Sequence, residues 1–291
     1  MHALRQQRTI SRPVAVEGFG YWSAQDVRLE FRPAAACTGI VFVRGDLTPR
    51  VRIPALAAWR VDCPRRTTLR AHGASVEMVE HVLAALWGLR IDNCEVWTTA
   101  AEMPGCDGSS LPFVEALHEA GIVEQRAARP CLRVARRMRL GDERHWIEVA
   151  PAESGELAVR YELDYGSGNP IGRQVVELEI TPETFRRELA ASRTFLLRDE
   201  AEWLRSQGLG QRTTPQDLLV FDEQGPVGNA LRFPDECARH KVLDLVGDFA
   251  LAGCDLAARI TAYRSGHRLN AEMVRALTAT AGAACGLRRC A

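Results

Sequence analysis

The residue types best suited to chemistry lie in the run Arg239-His240-Lys241-Val242-Leu243-Asp244-Leu245-Val246-Gly247-Asp248. His240, Asp244 and Asp248 fall at i, i+4 and i+8, so a helix would carry them as one polar stripe. Val242, Leu243, Leu245 and Val246 fill the positions between, which predicts a partly buried stripe. Charges removed from water are costly unless something pairs with them, and a divalent metal is one such partner. The competing reading is a capped ion pair or a solvated face, the commoner outcome for a short motif met alone.

A second pair, Glu80-His81, sits in a segment from Val76 to Trp87 whose Val79, Val82, Leu83 and Leu86 are spaced three and four apart, predicting a helix with the pair at its middle. One imidazole from there, with His240 and Asp244, makes a His, His, Asp shell. Such a shell leaves a fourth tetrahedral position for water, as catalytic rather than structural zinc sites do. The same donors suit Fe(II), so zinc and iron both stay open. A third piece, Arg264-Ser265-Gly266-His267-Arg268-Leu269-Asn270, follows a predicted strand. Gly266 would allow a tight turn that projects His267, and Asn270 would cap the next helix. Ser192-Arg193-Thr194-Phe195 adds a hydroxyl and an aromatic at a strand-to-loop junction.

The elements that must hold these residues can be read from periodicity. Strands are predicted at Val14–Val16, Val27–Phe31, Gly39–Val43 and Cys94–Thr98, with a second helix at Pro112–Ala120 ended by Gly121. Strands near Leu132–Leu140, Trp146–Val149, Leu157–Leu163 and Val175–Ile180 precede a helix over Glu236–Leu251, and a strand at Ala257–Ala262 leads to a last helix over Asn270–Ala281. The polar, basic segment Gln125–Pro130 reads as a linker between two domains, 1–126 and 127–291. Strands with helices on one face, twice over, argue for α+β rather than alternating βαβ.

The chain has 291 residues, 46% of them hydrophobic and 25% charged, the balance of a globular protein with a real core. Lys plus Arg number 37 and Asp plus Glu 37, so no global field draws nucleic acid or an anionic membrane. The stretch Met1–Arg8 lacks the apolar run of a secretory signal and no later window is apolar enough to span a bilayer, so a cytosolic location is expected. Nine cysteines without a Cys-x-x-Cys pair predict reduced thiols. Cys237 reads as core, and His2, His72, His118 and His145, without carboxylates at helical spacing, as surface or locally hydrogen-bonded residues.

Taken in order, Glu80-His81, Ser192-Arg193-Thr194-Phe195, His240-Lys241-x-x-Asp244-x-x-x-Asp248 and Ser265-Gly266-His267 resemble the UDP-3-O-acyl-N-acetylglucosamine deacetylase (LpxC) family. Gln7-Arg8-Thr9-Ile10, Thr67-Thr68-Leu69, Gly88-Leu89-x-Ile91-Asp92-Asn93, Asp107-Gly108-Ser109 and Pro112-Phe113 extend the resemblance over nearly the whole chain. It implies two similar domains, each a helix layer on a sheet with a small insert, and an active site between them. It implies zinc on His81, His240 and Asp244, with Fe(II) the other candidate. Glu80 would be the general base, and His267 would stabilise the oxyanion and protonate the leaving amine. Asp248 would orient His267, and Thr194 would polarise the carbonyl. Lys241 would meet the sugar or its diphosphate, and Phe195 would lie near the sugar or the start of the acyl groove. Leu196 and Leu204, with Leu197 and Trp203, would line a passage for the acyl chain. The implied partner is a small-molecule acylated UDP-amino sugar, in lipid A synthesis, bound by a monomer. Three segments depart from the pattern: 210–217, 169–170 and 103–106.

Overall fold

In a computed structural model the described residues are 4–152 and 155–284, with side chains described as far as 280. Two larger sheets dominate this α+β chain. In the first, the strands run in the order Val14–Phe19, Asp26–Pro33, Cys94–Thr98, Ile40–Arg44, Val51–Pro54. In the second, Met138–Gly141, Trp146–Ala150, Asp255–Tyr263, Leu157–Asp164 and Arg173–Ile180 follow in turn, and Cys131–Arg133 also pairs with Asp255–Tyr263. Each sheet is therefore a hairpin, then the last strand of that sheet in chain order, then a second hairpin. In each, that last strand inserts parallel to one neighbour, Ile40–Arg44 in the first and Leu157–Asp164 in the second. The recurrence gives physical form to a repeat that is only faint in the residues.

Alternation explains the faces. Leu157, Val159, Tyr161 and Leu163 are buried while the residues between them are half-buried, as a strand with one face on the core requires. Onto the inner face of the second sheet packs the helix Glu236–Phe249, and the helix Glu80–Gly88 packs on that helix. Gly247 makes that contact close: a Cβ there would fall 2.1 Å from the Glu80 carbonyl oxygen. The helix His267–Ala284 packs on Glu236–Phe249 in turn. Leu111–Ala120, buried through Phe113, Val114 and Leu117, covers part of the first sheet. Three small sheets complete the chain: Gln6–Ile10 with Ile122–Ala128; Arg60–Val61, Thr68–Ala71 and Ala74–Glu77; and Phe195–Leu197, Leu219–Asp222 and Gly225–Pro226.

Several sequence expectations are corrected. The helix expected from Val76 begins at Glu80, because Ala74–Glu77 is a strand and Met78 turns the chain at φ 56°. Glu80 and His81 thus open the helix rather than sit at its middle. The single strand expected over Leu132–Leu140 is two, Cys131–Arg133 and Met138–Gly141. Most of the segment read as a linker belongs to Ile122–Ala128, an edge strand antiparallel to Gln6–Ile10. Its polar side chains have partners: Gln125 accepts from Asn93 Nδ2 at 2.7 Å and donates to the Ala34 carbonyl at 2.8 Å. The last helix starts at His267, so Asn270 lies inside it and caps nothing, and the left-handed residue of the turn is Arg264, not Gly266.

Cys237 is fully buried, as its core reading requires, and the described cysteines are free thiols. His145 has a carboxylate after all, Asp142 at 3.1 Å three residues earlier. His72 packs on Trp59, and His2 lies outside the described residues. No helix among the described residues is long and apolar enough to cross a membrane.

Candidate metal and active site

Two helices and the first residue of a third converge on one buried point. Glu80 and His81 arrive on the first turn of Glu80–Gly88, and His240, Asp244 and Asp248 come down one face of Glu236–Phe249. His267 is the first residue of His267–Ala284. All six are buried except His267, whose side chain is 12% exposed and opens to the cavity above.

The donors of His81, His240 and Asp244 lie within 4.8 Å of one another. Asp244 Oδ1 is 3.5 Å from His81 Nε2 and 3.4 Å from His240 Nε2, yet this buried oxygen has no hydrogen-bond partner. An unsatisfied buried carboxylate oxygen is costly and calls for an explanation. Two imidazole nitrogens and one orphaned oxygen around a single point fit a divalent metal. The tautomer of His240 agrees, since its Nδ1 lies 3.1 Å from the Ser192 carbonyl and must donate to it, leaving the Nε2 lone pair turned to the cluster. Burial pushes the His240 imidazole down to about 3 against the pull of Asp244, so the ring is neutral and free to ligate.

Beside this triad stands an acid–base pair. Burial raises the Glu80 carboxyl above its ordinary value, against the counter-pull of His267 and His81. Burial would lower His267, but Asp248, by its charge and by accepting from Nδ1 at 2.9 Å, lifts the imidazole to about 9. His267 Nε2 is left facing the centre, 3.9 Å from Glu80 Oε1 and 4.0 Å from Asp244 Oδ2. A carboxylate whose affinity for protons is raised and an imidazole held charged, 3.9 Å apart, have the chemistry that a proton transfer needs.

The remaining predicted residues rim the cavity. Thr194 Oγ1 donates to the Gly108 carbonyl at 3.1 Å and lies 3.3 Å from His240 Nε2. Lys241 Nζ donates to Asp244 Oδ2 at 2.9 Å and stands 5.4 Å from the centre of the Phe195 ring, which meets His240 edge-on. Leu196 and Leu204 line the same cavity of about 760 Å³, joined by Leu209, Leu218, Val220 and Val227. Leu197 and Trp203 do not line it, and Trp203 is 55% exposed on the outer face of its helix.

The residues that brace this centre are legible in the sequence only within motifs or predicted elements, or, for Asn270, as a helix cap. Glu236 receives a bidentate clasp from Arg193, at 2.7 and 3.1 Å, deep in the core, which fixes the loop carrying Thr194. Asn270 donates to Asp248 Oδ2 at 2.8 Å and accepts from Ser265 Oγ at 2.5 Å. Tyr161 in turn donates to the Ser265 carbonyl. Thr67, quoted above only as part of a Thr-Thr-Leu string, reaches both Glu80 and Asp248.

Residues 7–279 match the family described as UDP-3-O-acyl N-acetylglycosamine deacetylase. The chain is 37% identical to the UDP-3-O-acyl-N-acetylglucosamine deacetylase of Solibacter usitatus, over 93% of this chain and 90% of that protein. It is 37% identical to the protein of that name from Myxococcus xanthus, over 92% and 85%. The match to its namesake from an Anaeromyxobacter species is 38%, over 95% and 90%. With the geometry above, these matches show that the chain belongs to the UDP-3-O-acyl N-acetylglycosamine deacetylase (LpxC) family, a family of metalloenzymes.

Proposed function

We propose that the chain hydrolyses the N-acetyl group of UDP-3-O-acyl-N-acetylglucosamine, a step of lipid A biosynthesis, with zinc on His81, His240 and Asp244. The observation that carries this reading is the orphaned Asp244 Oδ1 between two imidazole nitrogens, with Glu80 and His267 beside it. The donors also suit Fe(II), and zinc is preferred because two nitrogens and one oxygen with an open fourth position make its usual catalytic shell.

Zinc, when bound, supplies Lewis acidity that brings water near neutral pKa, to about 7. Glu80 takes the proton of the attacking water, a role suited to a buried carboxylate whose affinity for protons is raised. His267, charged through Asp248, faces the developing oxyanion and then gives its Nε2 proton to the departing amine, so that acetate and a free amino sugar leave. Thr194 Oγ1 adds a hydroxyl dipole at the acetamide carbonyl. Lys241 and Phe195 stand where the sugar or its diphosphate would meet a cation and a flat apolar face. Leu196 and Leu204 begin the apolar passage for the acyl chain.

The two similar sheets form two domains, 1–126 and 127–291, with the site at their junction. Each carries a small sheet as its insert: Arg60–Glu77 in the first, Phe195–Pro226 with the helix Arg198–Ser206 in the second. The protein works as a cytosolic monomer.

Two of the three departing segments have local reasons. Gly105 leaves room for the Tyr21 ring, since a Cβ there would fall 2.0 Å from Tyr21 Cε1. The 210–217 loop is pinned to the first half, where Gly210 N–H donates to the Tyr21 carbonyl at 3.1 Å and Arg212 to Asp26 at 2.7 Å. The 210–217 loop lines the cavity through Gly210, Thr213, Thr214 and Pro215, and Gly105 reaches it only through Tyr21, so both bear on acyl choice rather than on the hydrolysis. The test is direct: zinc-loaded protein is incubated with UDP-3-O-acyl-N-acetylglucosamine and the free amine is sought by mass. Release by wild type, with loss of turnover but not of metal in Glu80→Ala, supports the reading. An inert wild type sinks it, and a fully active Glu80→Ala removes the general-base role.

A further inference from the structure

Thr67 touches both ends of the proton-transfer pair. It lies one residue before the strand Thr68–Ala71, is buried, and is no member of the metal-ligand group. Its backbone N–H donates to Glu80 Oε2 at 2.9 Å. Its hydroxyl donates to Asp248 Oδ1 at 2.5 Å, and the same oxygen lies 3.3 Å from His267 Nδ1.

Donor and acceptor roles close without remainder. Asp248 Oδ2 accepts from His267 Nδ1 and from Asn270 Nδ2, at 2.9 and 2.8 Å. Oδ1 therefore depends on the Thr67 proton, and the Thr67 lone pair is left turned towards the His267 Nδ1–H. Because the amide occupies Oε2 of Glu80, it is Oε1 that faces His267 Nε2, at 3.9 Å. One residue thus selects which carboxylate oxygen of Glu80 faces the centre. The same residue fixes the plane of the carboxylate that orients His267.

We propose that Thr67 is a positioning residue, a hydroxyl-and-amide bridge that sets the separation and orientation of Glu80 and His267. The inference rests on the deacetylase reading above. A valine matches the threonine in shape and keeps the amide, but it removes the hydroxyl and leaves Asp248 Oδ1 without a donor. A serine keeps both functions.

The test compares Thr67→Val and Thr67→Ser with wild type on UDP-3-O-acyl-N-acetylglucosamine, with zinc content and melting temperature recorded. Outer-shell partners of a metal site commonly contribute about 10–100-fold to activity. Thr67→Val is expected to lose about tenfold or more in kcat, with KM and zinc content unchanged, while Thr67→Ser stays near wild type. A readout without turnover accompanies it: the His267 Nδ1–H proton resonance shifts in Thr67→Val and holds in Thr67→Ser. The inference is overturned if Thr67→Val keeps wild-type kcat, if serine fails to rescue, or if the loss follows zinc content. A wild type that releases no amine overturns the deacetylase reading first, and this inference with it.

Discussion

Two buried charge clusters tie the halves of this chain together, and they are built on opposite terms. In one, Arg5 donates to both oxygens of Asp92, at 2.7 and 2.8 Å, and to both oxygens of Asp255, each at 2.7 Å. Arg129 bridges the same two aspartates, at 2.9 and 3.4 Å, and the Arg8 amide adds a bond to Asp92 at 2.8 Å. No side-chain polar atom of Arg5, Asp92, Arg129 or Asp255 is left buried without a partner. At Asp244, by contrast, Lys241 satisfies Oδ2 at 2.9 Å, while Oδ1 faces two imidazoles, one of them held neutral, and has no partner. A closed network of fixed cations and anions has nothing left to bind. A cluster with neutral donors turned on an unsatisfied oxygen is incomplete without a cation. The difference separates a structural cluster from a functional one more sharply than burial or charge count does.

The largest test of that contrast is Asp244→Ala. Turnover should fall by a factor on the order of 10²–10⁴ or more, with loss of bound zinc, and the metal-free protein melts lower than wild type because Lys241 Nζ loses the carboxylate it donates to at 2.9 Å. A variant that keeps both zinc and turnover would remove Asp244 from the metal site. Asp92→Ala should leave both in place. Two part-buried guanidiniums lose their shared partner, destabilising the fold by about 3–5 kcal/mol, with kcat and zinc content unaltered where the protein stays folded. Denaturant unfolding beside steady-state assay separates the two outcomes.

A smaller effect belongs to the packing that brings the halves of the active cluster together. Gly247→Ala places a methyl against the Glu80 carbonyl, and overpacking of this kind costs about 1–3 kcal/mol. Because the displaced backbone carries Glu80 and His81, kcat should fall along with stability, which separates this variant from Asp92→Ala. A variant with wild-type kinetics would mean that the helix contact does not set the site.

The mildest prediction is a displacement rather than a loss. His267 titrates near 9 in the fold against an ordinary value near 6.5, so protonation of the folded form is favoured. That contribution to stability is fully present below about 6.5 and is lost as pH rises through about 9. Activity that needs the imidazolium should share this alkaline limit. In Asp248→Asn the limit should move to lower pH, whatever happens to the maximal rate. An unmoved limit would remove His267 from the role of general acid.

The candidate cluster was more legible than the elements that carry it. His240, Asp244 and Asp248 lie on one helix, where a spacing of four is enough to show a common face, and that local rule held. Glu80 and His81 were visible as a pair, but not as the opening of a helix. The break depends on Met78 in a left-handed conformation, which no glycine or proline announces. The segment 125–130 looked like a linker by composition. Its polarity serves a network with Asn93 and Gln7, whose partners lie 32 and 86 residues apart along the chain. Thr67 meets groups 181 and 200 residues away, a contact no periodicity can encode. Gly247 was a readable signal that went unused. A glycine between Val246 and Asp248 on a buried face marks a close backbone approach.

The central claim is that His81, His240 and Asp244 form a set of donors for a catalytic cation, whereas the Arg5–Asp92–Arg129–Asp255 network does not. The most direct measurement is zinc stoichiometry by titration calorimetry on wild type, Asp244→Ala and Asp92→Ala, each paired with amine release from UDP-3-O-acyl-N-acetylglucosamine. The account predicts one tightly bound zinc per chain in wild type and in folded Asp92→Ala, both active, and neither tight zinc nor activity in Asp244→Ala. Tight zinc and full activity in Asp244→Ala would contradict it.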